Sequence, residues 1–111
     1  MTLGSGSIIT NGGFRLLSSG VKGRVVHADH ATLVVFDLAP KTIVETHKHD
    51  VEQFGLVVKG SLAMVIAGEQ RILTPGDTYR IPAGTAHGAR VFEEPTQTVD
   101  VWAPRSATPP L

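Results

Sequence analysis

Apolar residues in this chain come in short runs rich in Val, Ile, Leu and Thr, and each run breaks at Gly, Pro, Asp or Asn before a helical period can establish itself. No stretch sustains apolar positions at i, i+3, i+4 and i+7, so the pattern predicts an all-β protein. The predicted strands are Gly13 to Leu17, Gly23 to His27, Thr32 to Leu38, Ile43 to Thr46, Gln53 to Val58, Leu62 to Ala67, Gln70 to Leu73, Thr78 to Ile81, His87 to Phe92 and Gln97 to Trp102. So many short strands in a small chain must close into a barrel or sandwich, because an open sheet would leave its edges and one apolar face in water. Lys59-Gly60 and Gly68-Glu69 fit tight hairpin turns. Met1 to Ser7 and Pro104 to Leu111 read as loosely held tails of one domain covering residues 1–111, since Pro109-Pro110 cannot enter a central strand.

Composition narrows the function classes. The chain has 111 residues, of which 41% are apolar, enough to bury a core without disulfides. Ten acidic residues balance ten Lys plus Arg, so no field of one sign is available to gather nucleic acid or an anionic membrane, and neither is expected as a partner. Cysteine is absent, which excludes a disulfide framework, a thiolate metal site and a catalytic thiol. No apolar run approaches the ~18 residues of a spanning helix, and Met1 to Ser7 lacks a basic-then-apolar signal pattern. The expectation is a soluble, cytoplasmic protein.

The candidate chemistry lies in His47-Lys48-His49-Asp50-Val51-Glu52-Gln53. Side chains two apart at a strand end share a face, so both imidazoles can meet one ion. Taken alone, the pair reads rather as two exposed histidines near a strand end. What changes the balance is Gly76 to His87, in which a turn, a strand, a second turn and a further histidine follow in order. Together the stretches resemble the two motifs of the cupin family, Gly-x5-His-x-His-x(3,4)-Glu-x6-Gly and Gly-x5-Pro-x-Gly-x2-His-x3-Asn. The first maps onto His47, His49, Gln53 and Gly60, the second onto Gly76, Pro82, Gly84 and His87.

The resemblance implies a cupin barrel, a double-stranded β-helix or jelly roll, holding one divalent transition metal on His47, His49, Gln53 and His87. Three departures stand out: the opening Gly is Lys41, in a turn after Pro40; the closing Asn is Val91; and the motif's Glu is Gln53. Three neutral imidazoles and an amide oxygen leave the full charge of the ion to polarise a substrate oxygen. Nitrogen-rich ligation suits Zn, Ni, Fe, Mn, Co or Cu, and affinity order does not choose among them. Gln53→Glu is expected to tighten binding by adding negative charge. A register shifted by one residue would make Glu52 the ligand instead. His27 and His30 flank the polar Ala28-Asp29 turn and read as exposed.

In Thr98-Val99-Asp100-Val101-Trp102, Val99 and Val101 share one strand face while Asp100 and Trp102 share the other, and one of the two faces must be core. On pattern alone Asp100 faces water. Val99 to Arg105 is also similar to the Leu-Asp-Val-Phe-Ser-Pro-Pro-Arg segment of KdgF-type cupins, which open unsaturated uronates released by pectin and alginate lyases; here one Pro fewer precedes Arg105. By that resemblance Asp100 would move protons, Trp102 would stand where the group has Phe, and Arg105 would grip the carboxylate of a small-molecule substrate. The implied function is a metal-dependent isomerase or ring-opening enzyme for a small sugar acid. The alternatives are a cupin dioxygenase and a metal-holding binding or sensor module without turnover. The resemblance further implies a homodimer, which would cover the apolar outer strand faces.

Overall fold

The computed structural model describes residues 6–8 and 12–105; residues 1–5 and 106–111, and with them most of both predicted tails, lie outside the described residues. The described chain is built from strands: β1 (Arg15–Ser18), β2 (Val21–His27), β3 (Thr32–Leu38), β4 (Ile43–His47), β5 (Glu52–Lys59), β6 (Leu62–Ile66), β7 (Glu69–Leu73), β8 (Thr78–Ile81), β9 (His87–Val91) and β10 (Thr96–Ala103). Every predicted run forms a strand, with ends moved by two residues at most. β2 starts at Val21 rather than Gly23, for example, because Val21 pairs with Leu38 of β3.

The strands make two antiparallel sheets, one ordered β1-β2-β3-β10-β5-β8 and the other β4-β9-β6-β7. This is the expected all-β jelly roll, in which two inward faces supply the core. Among the described residues no helix is long and apolar enough to cross a membrane.

Both predicted hairpin turns need correcting. β5 and β6 belong to different sheets, so Lys59-Gly60 is a bend from one sheet to the other and not a hairpin. Gly60 is required there by close approach: a Cβ would stand 2.5 Å from the Pro95 carbonyl oxygen. The β6–β7 hairpin turns on Ala67-Gly68, one residue earlier than Gly68-Glu69, with φ of 52° and 81°. Positive φ at both central residues matches the right-handed strand twist, which is why that pair carries the turn.

β3 alternates as a half-buried strand should, placing Thr32, Val34, Phe36 and Leu38 inside. β10 follows the same period with an unusual choice of face: Thr96, Thr98, Asp100 and Trp102 are buried while Val99 and Val101 are only partly covered. The face with the polar residues is therefore the inner one. Apolar packing gathers on either side of it, as Val21, Val34, Phe36, Leu38, Val91 and Trp102 in one cluster and Val57, Leu62, Met64, Tyr79 and Ile81 in the other. Each fully buried side chain of this kind contributes ~1.5–3 kcal/mol, which is what sustains a polar row in the interior.

Candidate metal centre

The two sheets bring different parts of the site. His47, last residue of β4, lies directly opposite His87, first residue of β9. A register shift between Val44 and His47 adds a residue to β4, so both Val44 and His47 line the interior cavity although they lie three apart. His49 sits in the loop from β4 to β5, held by its carbonyl oxygen, which accepts a hydrogen bond from Gly84 N at 2.6 Å. Gln53 comes from β5 in the facing sheet.

One ring nitrogen from each of His47, His49 and His87 falls within 4.8 Å of the others, and the three histidines could hold a metal ion. Their protonation pattern fits that use. Nδ1 of His47 is 2.6 Å from the Glu45 carbonyl oxygen and Nδ1 of His87 is 2.9 Å from that of Thr85. A carbonyl oxygen only accepts, so each Nδ1 carries a hydrogen, and in the neutral ring it is Nε2 that keeps the lone pair. Burial, then the neighbouring His47 and His87, push His49 down to about 4. Burial likewise lowers His87. Neutral imidazoles at physiological pH are what a metal requires.

The remaining buried acceptors complete the picture. His49 Nε2, His87 Nε2 and Gln53 Oε1 are buried without a hydrogen-bond partner. A buried unsatisfied polar atom costs ~1–3 kcal/mol, and three lone pairs with no donor between them suit a cation. The residues present therefore fit the metal implied by the motifs. Glu52 turns the other way: its carboxylate accepts a hydrogen bond from Arg80 Nε at 2.8 Å on the exposed side of β5. Strand parity thus favours Gln53 over its neighbour.

Asp100 lies behind Gln53, 2% exposed. Its Oδ2 accepts from Gln53 Nε2 at 2.8 Å, its Oδ1 accepts from Thr98 Oγ1 at 2.9 Å, and the Tyr79 hydroxyl stands 2.8 Å from both oxygens. Burial pushes the Asp100 carboxyl up to about 6, against the opposing pull of the hydrogen bonds from Gln53, Tyr79 and Thr98. Burial and the adjacent Asp100 carboxylate raise the Tyr79 hydroxyl as well. Asp100 does not face water, contrary to the pattern-based reading. It lines the same cavity as His47, Gln53, His87, Tyr79 and Trp102.

Trp102 is 1% exposed, packs edge-on against Phe36 with ring centres 5.9 Å apart, and sits 6.2 Å from the His49 ring. Its indole Nε1 is buried without a partner. Arg105 is not brought into this group: it is exposed and does not line the cavity. His27 and His30 are exposed, with His27 Nδ1 at 3.0 Å from Thr32 Oγ1. Tyr79 is the site residue that sequence reasoning passed over; its period-2 position in β8 marks it as inward-facing, but nothing local pairs it with an acid 21 residues away.

Comparison with known proteins agrees with the geometry. Residues 34–102 match the Cupin domain family. The pectin degradation protein KdgF of Dickeya dadantii (strain 3937) is 34% identical over 93 residues, covering 82% of this chain and 84% of that protein. An H2HPP isomerase of Bacillus subtilis is 38% identical over 66 residues, 59% of this chain, which spans only 28% of that protein. The structure of KdgF from Halomonas sp. superposes with a TM-score of 0.87 at 27% identity, over 93% of this chain and 97% of that one. With two inward-facing sheets, a histidine cluster at the motif positions and these matches, the chain belongs to the cupin family and within it resembles KdgF.

Proposed function

We propose that this cupin is a metal-dependent isomerase that opens the ring of a small unsaturated sugar acid. The observation that carries the reading is Asp100, an acid fully buried in the cavity that His47, Gln53 and His87 also line. A buried charge is costly to keep, and proton transfer to a substrate in the same cavity is a use that repays the cost. Similarity to a pectin degradation protein over most of both chains supports the substrate class.

His47, His49, His87 and Gln53 would hold the ion, which when bound would supply Lewis-acid polarisation of a substrate hydroxyl or carbonyl. Asp100 would act as the acid and base. It would take the proton of the ring hydroxyl as the ring carbon–oxygen bond breaks, then return that proton to carbon as the resulting enolate becomes a ketone, so that no atom is gained or lost. Positioned proton transfer of this kind is worth ~10²–10⁴ in rate. Trp102, Leu62, Met64 and Ile81 line the same cavity and would exclude water. Arg105 would enter only from outside, as an exposed cation for the substrate carboxylate. A second copy of the chain would cover the outer face of the larger sheet, where Phe54, Leu56 and Val58 are exposed.

The test is an assay of untagged protein with a panel of unsaturated uronates, following loss of the ultraviolet absorbance of the ring double bond at saturating metal. Asp100→Asn is expected to reduce kcat at least ~10-fold, and Arg105→Ala chiefly to raise KM. Full turnover by Asp100→Asn would remove Asp100 from the chemistry, and no turnover of any unsaturated uronate by metal-loaded wild type would return the protein to the binding-module reading.

A further inference from the structure

Gln53 is an unusual group to find facing a cation site, because its amide has an accepting end and a donating end of nearly identical shape. Only the oxygen end can serve an ion. Turned about, the amide would push a donor towards the histidine lone pairs. Some neighbour must decide between the two orientations.

We propose that Asp100 makes that decision, and that Gln53 and Asp100 act as one polarised unit in which the negative charge sits one residue behind the ion. This rests on the reading of Gln53 as a ligand. An ionised carboxylate accepts and cannot donate, so the amide end beside it must be Nε2, as the 2.8 Å contact to Oδ2 has it. Oε1 is thereby turned away, and it is the buried atom without a partner. Asp100 is itself immobilised by the Tyr79 and Thr98 hydroxyls. Tyr79 reaches it across Gly55, where a Cβ would stand 2.5 Å from the tyrosine oxygen and 2.7 Å from Asp100 Oδ2. Tyr79, Gly55 and Asp100 are direct cross-strand partners in β8, β5 and β10, so this row is set by register.

The unit alters the expectation for Gln53→Glu. A glutamate would bring a second carboxylate to where the amide nitrogen now lies 2.8 Å from Asp100, in the interior, turning an attraction into a like-charge contact. Added ligand charge therefore does not act alone. Exchanging both groups reverses the polarity without loss: in Gln53→Glu with Asp100→Asn, the asparagine oxygen accepts from Tyr79 and Thr98 while its nitrogen donates to the glutamate.

The experiment compares wild type, Q53E, D100N and the double variant, each stripped of metal by a chelator. Thermal denaturation and calorimetric titration with Zn²⁺ are the readouts. Stripped Q53E should melt at least ~5 °C below wild type, and the double variant should recover most of that loss, so that the two substitutions compensate. D100N should bind Zn²⁺ ~10-fold or more weakly, as loss of a group orienting a ligand typically does, while the double variant binds at least as tightly as wild type. Additive melting shifts, or a double variant no more stable than Q53E, would overturn the proposal. If a single variant is too unstable to purify, soluble and folded double variant carries the same support, and a double variant as insoluble as Q53E overturns it. Gln53→Ala binding Zn²⁺ as tightly as wild type would remove the ligand reading separately, leaving the stability compensation to stand or fall by itself.

Discussion

Lys41 holds a backbone conformation that its side chain resists. Its φ is 65°, in the left-handed region, at the position where the cupin motif has Gly. An L-residue there is strained by ~1–2 kcal/mol, whereas glycine is not but loses ~0.5–1 kcal/mol of backbone freedom on folding. Its Nζ is 3.5 Å from a Glu93 carboxylate oxygen between well-exposed side chains, which adds little. Lys41→Gly is thus expected to stabilise the protein by ~0.5–1 kcal/mol, and Lys41→Val to destabilise it, because a β-branched residue tolerates positive φ worst. Chemical denaturation gives the order. Equal stability of the Gly and Val variants would show that this turn relaxes away from positive φ.

β5 carries Gln53 and β10 carries Asp100 and Trp102, and each strand departs from the ordinary rule in one place. In β10 the inner face takes Thr98, Asp100 and Trp102 and the outer face takes Val99 and Val101, because the outer valines lie against Leu56 and Phe54 of β5 and Val35 and Leu33 of β3. In β5 the inner face needs Gly55, whose missing side chain leaves space for the Tyr79–Asp100 contact. Gly55→Ala overpacks this point and is expected to cost ~1–3 kcal/mol. It should also weaken Zn²⁺ binding, since Asp100 and through it Gln53 are displaced. Denaturation together with metal titration checks both effects; an alanine variant unchanged in both would mean that the Tyr79 ring shifts without penalty.

Across the molecule, the candidate ligands come from both sheets, with His47 and His87 on one and Gln53 on the other. An ion bound there ties the sheets together and should raise the melting temperature by mass action, by ~2.7 kcal/mol of stability when free metal is 100 times its Kd. Chelation is expected to lower the melting temperature and Zn²⁺ or Ni²⁺ to restore it, while His49→Ala should abolish the response. A melting temperature indifferent to metal would count against the centre. The outer face offers a second test. Phe54 and Leu56 oppose Val101 and Val99, which in turn oppose Leu33 and Val35, giving a continuous apolar patch on a chain with no formal net charge. Such a patch is what a two-fold contact between copies uses. Light scattering is expected to give a dimer for wild type and a monomer for Phe54→Lys; a wild-type monomer at high concentration overturns the dimer.

The strand runs, the all-β class and the paired motifs were legible along the chain because they depend on local chemistry: β-branched runs, turn residues, and histidines at fixed spacing. Strand parity also separates Gln53 from Glu52, since neighbours in a strand face opposite ways. What parity cannot do is say which of two faces is core, and for Asp100 the hydrophobic count pointed to the wrong one. The outer face of β10 is apolar for reasons that lie in β3 and β5, and the inner face is polar because Gln53, Tyr79 and Thr98 supply the donors that let a carboxylate be buried. The extra residue in β4, the sheet change at Gly60, the exposure of Arg105 and the approach of Tyr79 to Asp100 share the same origin. Each depends on strands far apart in the chain, and contacts of that range are settled only when the two sheets close on one another.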